Sequence, residues 1–257
     1  MNIDRRTTAG KRVPMDAMRK TALIAGGLYL ITFITSIPAL ALKGPVLHHV
    51  NFILGAGSQT SVIWACLLDV ACALAGIGTA LALYPVARRH SETAALGFVA
   101  SRVVEATIIV VGIISLLSIV TLRQHVAGAA GTDAATLVTT GRSLVAIHNW
   151  TFLLGPGLMA GVNGLFLGYV MYKSRLVPRI IPTVGLIGAP VILASATATV
   201  FGAFGQTSTW GVLLGFPIAL WELSLGVWLV VEGFKPSPIT DETTVTSDPP
   251  AYRGVAA

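Results

Sequence analysis

The feature that most constrains this chain is the length of its apolar runs. Six of them, at about 22–42, 61–87, 94–122, 143–172, 180–204 and 210–232, reach or exceed the ~20 residues a helix needs to cross a ~30 Å hydrocarbon layer. Inside hydrocarbon each backbone donor and acceptor must be met within its own segment, so each run is predicted to be a helix. The fold class that follows is an all-α integral membrane protein, a single bundle of six transmembrane helices over 21–235. Composition agrees: 54% of the residues are hydrophobic and 11% charged, against about 25% charged in a soluble domain. The third and fourth runs are long enough to tilt or to project past the headgroups. The first is too long for the apolar region of a cleaved signal, about 7–15 residues, and no small-x-small site follows it, so it is expected to stay as an anchor.

The net charge of +6 would suit a nucleic-acid partner, but the basic residues lie in the short segments between runs and no aromatic–basic stretch accompanies them. No nucleic-acid partner is expected. Position gives the charge a different meaning. Arg5, Arg6, Lys11, Arg12, Arg19 and Lys20 precede the first span, Arg88 and Arg89 follow the second, Lys173, Arg175 and Arg179 follow the fourth, and Lys235 and Arg253 follow the sixth. The opposite side holds only Lys43, Arg123 and Arg142. Basic residues stay cytoplasmic, which predicts both termini in the cytoplasm. The arm 1–20 is expected to touch anionic lipid, and the Thr-, Ser-, Pro- and Asp-rich tail 236–257 to be disordered. Between the first two spans, 47–54 has the makings of a short interfacial turn. Thr132-Asp133 reads as a helix start.

Chemistry-bearing motifs are sparse. Cys66 and Cys72 are over a turn apart on one helix and cannot bridge each other, so both read as packing residues. His48 and His49 are adjacent, point in different directions and lack a third ligand, so no metal is expected. No nucleophile–base set or phosphate loop is present; no catalytic residue, no cofactor and no enzymatic activity are expected.

Small residues pattern the spans. Gly157, Gly161, Gly164 and Gly168 form one stripe, and Gly76 with Ala80 a shorter one; each lets a neighbouring backbone approach, inside the bundle or across a homodimer or partner interface. Pro38, Pro156, Pro190 and Pro217 interrupt spans, and Gly155-Pro156-Gly157 is predicted to break the fourth.

Four charged residues lie deep in the spans: Asp69, Arg102, Glu105 and Glu222. Each costs a few kcal/mol in hydrocarbon and calls for a partner. Counting ~1.5 Å per residue puts Arg102 level with Glu222, and Glu105 level with Asp69. Arg102 and Glu105 share a helix face, and one guanidinium can engage two carboxylates through its forked donors. Arg102 is therefore expected to bridge Glu105 and Glu222, with Asp69 as a further candidate and His148, Asn149 and Asn163 extending the polar path. Such a cluster is either a structural ion network or a site for a proton, cation or small solute.

Several segments carry a family resemblance: Ser101-Arg102-Val103-Val104-Glu105-Ala106, Leu83-Tyr84-Pro85-Val86-Ala87-Arg88-Arg89, Tyr172-Lys173-Ser174-Arg175-Leu176-Val177-Pro178-Arg179 and Trp221-Glu222-Leu223. Together they resemble the bacterial multi-pass membrane family called domain of unknown function 4386. The resemblance implies a bacterial plasma-membrane protein without assigned activity, with the family's arginine–glutamate pair at Arg102 and Glu105. Two functions remain open. One is binding or moving a proton or small solute at the polar cluster. The other is a non-transporting accessory subunit that associates through the glycine-rich face.

Overall fold

A computed structural model describes residues 17–49, 51–126 and 133–236. The tail from 237 and the arm before 17 lie outside the described residues, so the expectations for both fall there, Arg19 and Lys20 excepted. The helices are α1 (Ala17–Leu42), α2 (Gly44–His48), α3 (Gln59–Ala87), α4 (Glu92–Val126), α5 (Ala134–Phe152), α6 (Ala160–Ser174), α7 (Ile180–Val200) and α8 (Thr209–Val231). A π-helical stretch, Leu153–Met159, joins α5 to α6. The joined element runs for 41 residues and, with α1, α3, α4, α7 and α8, makes six helices long and apolar enough to cross a membrane. No strand occurs among the described residues. The chain is a membrane protein, and its outer faces carry large exposed apolar side chains such as Ile34, Trp64 and Leu74.

Several boundaries differ from the sequence expectation, α1 starting at Ala17 and α4 running to Val126, and two of the differences have a local cause. The fourth span starts at Ala134, not near 143, because the polar residues of its first turns are satisfied by the helix itself. Asp133 caps it by accepting from the Ala135 N–H at 3.0 Å, and the Thr139, Thr140 and Ser143 hydroxyls donate to carbonyls four residues back. Hydroxyls bonded this way do not stop a helix. The fifth span ends at Val200, not near 204, where Gly202 takes a left-handed φ of 76° that closes the last turn. The turn expected at 47–54 resolves into α2 and a single 3₁₀ turn at Phe52–Leu54.

The spans pack in sequence order, each on the next, and α8 closes the ring on α1. Both ends of the described chain lie on one side, called here the near side, since Arg19 of α1 donates to the last carbonyls of α8, at Leu229, Val230 and Val231. The near half is tightly packed around Tyr29, Leu83, Phe98, Met171, Trp221 and Leu229, all fully buried. At the far side α2 and the 3₁₀ turn cover a smaller apolar cluster with Val62, Leu116 and Ile119. Arg123 ties that cover down by donating to the carbonyls of Phe52, Gly55, Ala56 and Gly57 at 2.8–3.1 Å.

Glycine sets the near-half contacts. A Cβ at Gly26 would stand 2.7 Å from the Gly226 carbonyl oxygen, so α1 and α8 meet backbone to backbone. The glycine stripe of α6 is filled from within the chain: a Cβ at Gly161 would stand 2.7 Å from Leu193, one at Gly164 2.6 Å from Ile218, and one at Gly168 3.2 Å from Leu186. Of the two readings of the stripe, packing inside the bundle is the one seen at Gly161, Gly164 and Gly168, where side chains of α7 and α8 occupy the groove. At Gly76 the expectation is corrected. A Cβ there meets nothing within 4 Å, so it leaves room rather than admitting a helix.

Candidate functional site

The ion cluster follows from how three elements are rotated. On α4, Arg102 and Glu105 share a face, and the Arg102 Nη1 donates to Glu105 Oε2 at 2.9 Å. On α8, Trp221 fixes the rotation, because its ring fills the space a side chain at Gly185 of α7 would take. The next residue, Glu222, then turns inward and accepts from Arg102 Nη2 in a short ion pair. The third element is the α5–α6 span. Pro156 has no N–H to give the turn before it, and the helix answers by widening into the π stretch rather than breaking. Gly155 within that stretch lets it lie on α4, its missing Cβ only 3.2 Å from Ile108 and 3.6 Å from the Glu105 carbonyl. Two turns on, Asn163 donates from Nδ2 to Glu105 Oε2 at 2.6 Å.

Arg102, Glu105, Glu222 and Asn163 thus come together, and Arg102 bridges the two glutamates. Removing two acids and an arginine from water is costly unless each is paired and hydrogen-bonded. The cluster meets that demand on three sides. Beneath it, Tyr29 accepts from Arg102 Nη2 at 3.3 Å, and the guanidinium lies over the Tyr29 and Phe98 rings at 5.4 and 5.7 Å. Tyr29 gives no polar signal in sequence, since a lone tyrosine in an apolar run looks like core. Two polar atoms of the buried cluster remain without a partner among the described residues, Arg102 Nε and Asn163 Oδ1.

Asp69 does not join this cluster. It pairs instead with Lys43 across 2.6 Å, so its candidacy for the Arg102 cluster is not met. The reason is local: Lys43 directly follows α1, α1 lies against α3, and a lysine stem is long enough to turn back into the bundle. Sequence reading placed Lys43 at the membrane surface, whereas it is only 3% exposed and lies 5.8 Å over the Phe152 ring. His148 is buried beside the same pair and stacks on Phe152 with 6.4 Å between ring centres. Asn149 points elsewhere and is exposed.

A cavity of about 330 Å³ connects the two ion groups. All six spans line it: Lys43 and Asp69 toward the far end, His148 and Pro156 along one wall, and Arg102, Glu105 and Glu222 at the bottom, with apolar surface from Phe33, Ile109 and Ile218 between. Cys72 also faces it, whereas Cys66 is buried in the far apolar cluster. The arrangement offers a narrow, mostly apolar chamber with charged groups at two depths, the usual make-up of a small-molecule site. Below Arg102 it is closed by the packed near half.

Comparison with curated proteins and with solved structures gave no match. A family model does match, over residues 24–233, a stretch that holds every residue of both ion groups. The chain belongs to the family described as Domain of unknown function (DUF4386).

Proposed function

We propose that the protein binds a small solute in the central cavity, with the Arg102–Glu105–Glu222 cluster as the polar end of the site and a proton or cation balancing its charge. One observation carries the reading: a chamber lined by all six spans ends on buried ions. Ions that only fixed helix partners would sit in packed surroundings, with no adjoining space. The charged groups of the lining are paired with one another, an arrangement that favours binding or transfer. The accessory-subunit alternative is less favoured, because side chains of α7 and α8 occupy the glycine stripe from Gly161 to Gly168.

The same reading places the protein in a bacterial plasma membrane with the near side cytoplasmic. Arg19, Lys20, Arg88, Arg89, Lys173, Arg175, Arg179 and Lys235 bracket the near-side ends of the helices. On the far side Lys43 is neutralised by Asp69 and Arg123 is held by loop carbonyls. That leaves a strong bias of the kind that retains basic segments in the cytoplasm.

Gly76→Leu is the direct test, since its Cβ has open space and its side chain grows into the cavity. With the full chain in vesicles, solute or proton flux driven by a pH gradient should be present in wild type, and be lost in Gly76→Leu and in Glu105→Gln. Equal flux in Gly76→Leu, with the variant folded, would rule the cavity out as the site.

A further inference from the structure

The ring of helices is sealed unequally between α1 and α8, and the gap says where a ligand enters. In their near halves these helices touch at Gly26 and Gly226 and are pinned by Arg19. In their far halves they part. No residue of α8 from 209 to 217 is buried, and on α1 Ile37 and Leu40 line the cavity while being 66% and 46% exposed. Gly215 lines it from the α8 side, beside Phe216, which is 60% exposed. Residues that belong to both the cavity wall and the outer surface mark its mouth.

The rim of that mouth is apolar and faces sideways. Ile37 lies five residues before the end of α1, roughly 8 Å below the far surface at ~1.5 Å per residue. That depth falls within the hydrocarbon edge just under the headgroups. The far end of the cavity is closed by comparison: Lys43 is only 3% exposed there, paired with Asp69 and lying over the Phe152 ring. A solute arriving from the bilayer meets an open door, and one arriving from water meets a closed one.

Charge then selects the class. The titratable groups facing the cavity are Lys43 between α1 and α2, Asp69 and Cys72 from α3, Arg102 and Glu105 from α4, His148 from α5 and Glu222 from α8. Ionised acids outnumber ionised bases by one when His148 and Cys72 are neutral. Glu222 is the more open of the two glutamates, with 16% of its side chain exposed, and Arg102 is its one polar partner among the described residues. A volume of about 330 Å³ sits at the small end of ligand sites, ~300–1,000 Å³, which is too little for a two-chain lipid.

Building on the cavity as a binding site, we infer that its ligand is a small amphiphilic monocation, an amine on a short apolar body, which enters from the far leaflet between α1 and α8 and seats its amine against Glu222. An amphiphile held at the interface has its apolar body at the depth of the mouth and its amine just above it.

Octylamine, octanol and octanoate form a matched set of cation, neutral and anion at pH 7, and the cavity carries its own reporter in Cys72. The full chain in phosphatidylcholine vesicles is labelled with a long-chain N-alkyl maleimide or a sulfonated, water-soluble one, and each cysteine is read by mass spectrometry. Cys66, which does not line the cavity, is the internal control. The expected result is labelling of Cys72 at least tenfold faster by the alkyl reagent, slowed by Gly215→Trp, where a Cβ has only Ile192 at 4.0 Å nearby. Gly215→Leu serves if the tryptophan variant does not fold. Octylamine should protect Cys72, octanol and octanoate should not, and Glu222→Gln should abolish the protection. Equal labelling by the sulfonated reagent, or no slowing by the Gly215 variants, would overturn the lateral route. Protection by octanoate or octanol equal to that by octylamine would overturn the cationic class. If instead Cys72 proves as unreactive as Cys66 toward both reagents and Gly76→Leu leaves flux unchanged, the binding cavity itself fails, a result distinct from either.

Discussion

The two halves of this bundle are built from the same helices and solve opposite problems. In the near half, glycines bring backbones together and large side chains fill what remains: Gly26 against Gly226, Gly185 around Trp221, Gly97 under Phe166. In the far half the same ring is left unfilled, Gly76 faces space, and the buried polar groups face a cavity. The boundary between them is the Arg102 cluster, which rests on Tyr29 and Phe98. Glycine alone therefore does not mean close packing in a membrane bundle. Its meaning depends on whether a neighbour has moved into the space.

The largest effect should come from breaking the boundary. Arg102→Ala strands Glu105 and Glu222 in a buried site, and removing one partner of such a group costs about 3–5 kcal/mol. Loss of the folded, monodisperse species in detergent is expected, with partial recovery when Glu105→Gln and Glu222→Gln are added. A variant that melts like wild type would mean that water already reaches the guanidinium and that the two halves are not separated there.

The comparison itself is tested by the same substitution in each half. Gly26→Leu drives a side chain into the Gly226 carbonyl and Leu229, an overpacking worth about 1–3 kcal/mol. Gly76→Leu meets no neighbour at its Cβ and should be neutral in melting, or stabilising by up to about 1 kcal/mol through helix propensity. Equal melting of the two variants would erase the distinction between a sealed and an open half.

A smaller loss is expected at the far cover. Arg123 donates to four carbonyls of the 52–57 segment and lies over the Phe52 ring at 4.6 Å. These acceptors are partly exposed, so water replaces much of what Arg123→Ala removes, and a cost of about 1 kcal/mol is expected. Hydrogen exchange should rise in 52–57 and stay unchanged around Tyr29 and Trp221. A uniform rise across the bundle would mean the cover and the near half fold as one unit.

How much of this was legible in sequence follows the strength of each physical signal. Six spans were readable because hydrocarbon sets a length threshold that apolar runs either meet or do not. The pairing of Arg102 with Glu105 and Glu222 was readable because depth along a span can be counted and an unpaired ion is intolerable there. The Lys43–Asp69 pair was not, because Lys43 sits at a span end where sequence assigns a lysine to water, and only the α1–α3 contact shows that its stem folds inward. Tyr29 was missed since its ring is ordinary core and only its hydroxyl has a polar role. The cavity was out of reach altogether. An absence of packing at Gly76 and Gly215 depends on where six helices stop short of one another, and no residue type encodes that.

The smallest effect belongs where the far half leaves lipid. Asp133 caps α5 with its carboxylate, accepting from the Thr136 hydroxyl at 2.6 Å and the Ala135 amide at 3.0 Å. Those hydrogen bonds, the Thr136 one foremost, hold its carboxyl below the usual carboxylate range. A carboxylate with a depressed folded pKa contributes above the unfolded value, ~3.9, and loses that contribution as pH falls through the lower folded value. Intrinsic-rate-corrected exchange at Ala135 should therefore be flat from pH 5 to 8 and rise only in strong acid. Asp133→Ala should fray the first turn at every pH, while Asp133→Asn keeps an acceptor and removes the acid dependence. A wild-type rise near neutral pH would show that the cap titrates with something other than its own carboxyl, and that this end of the helix is not the independent, solvated element its hydrogen bonds describe.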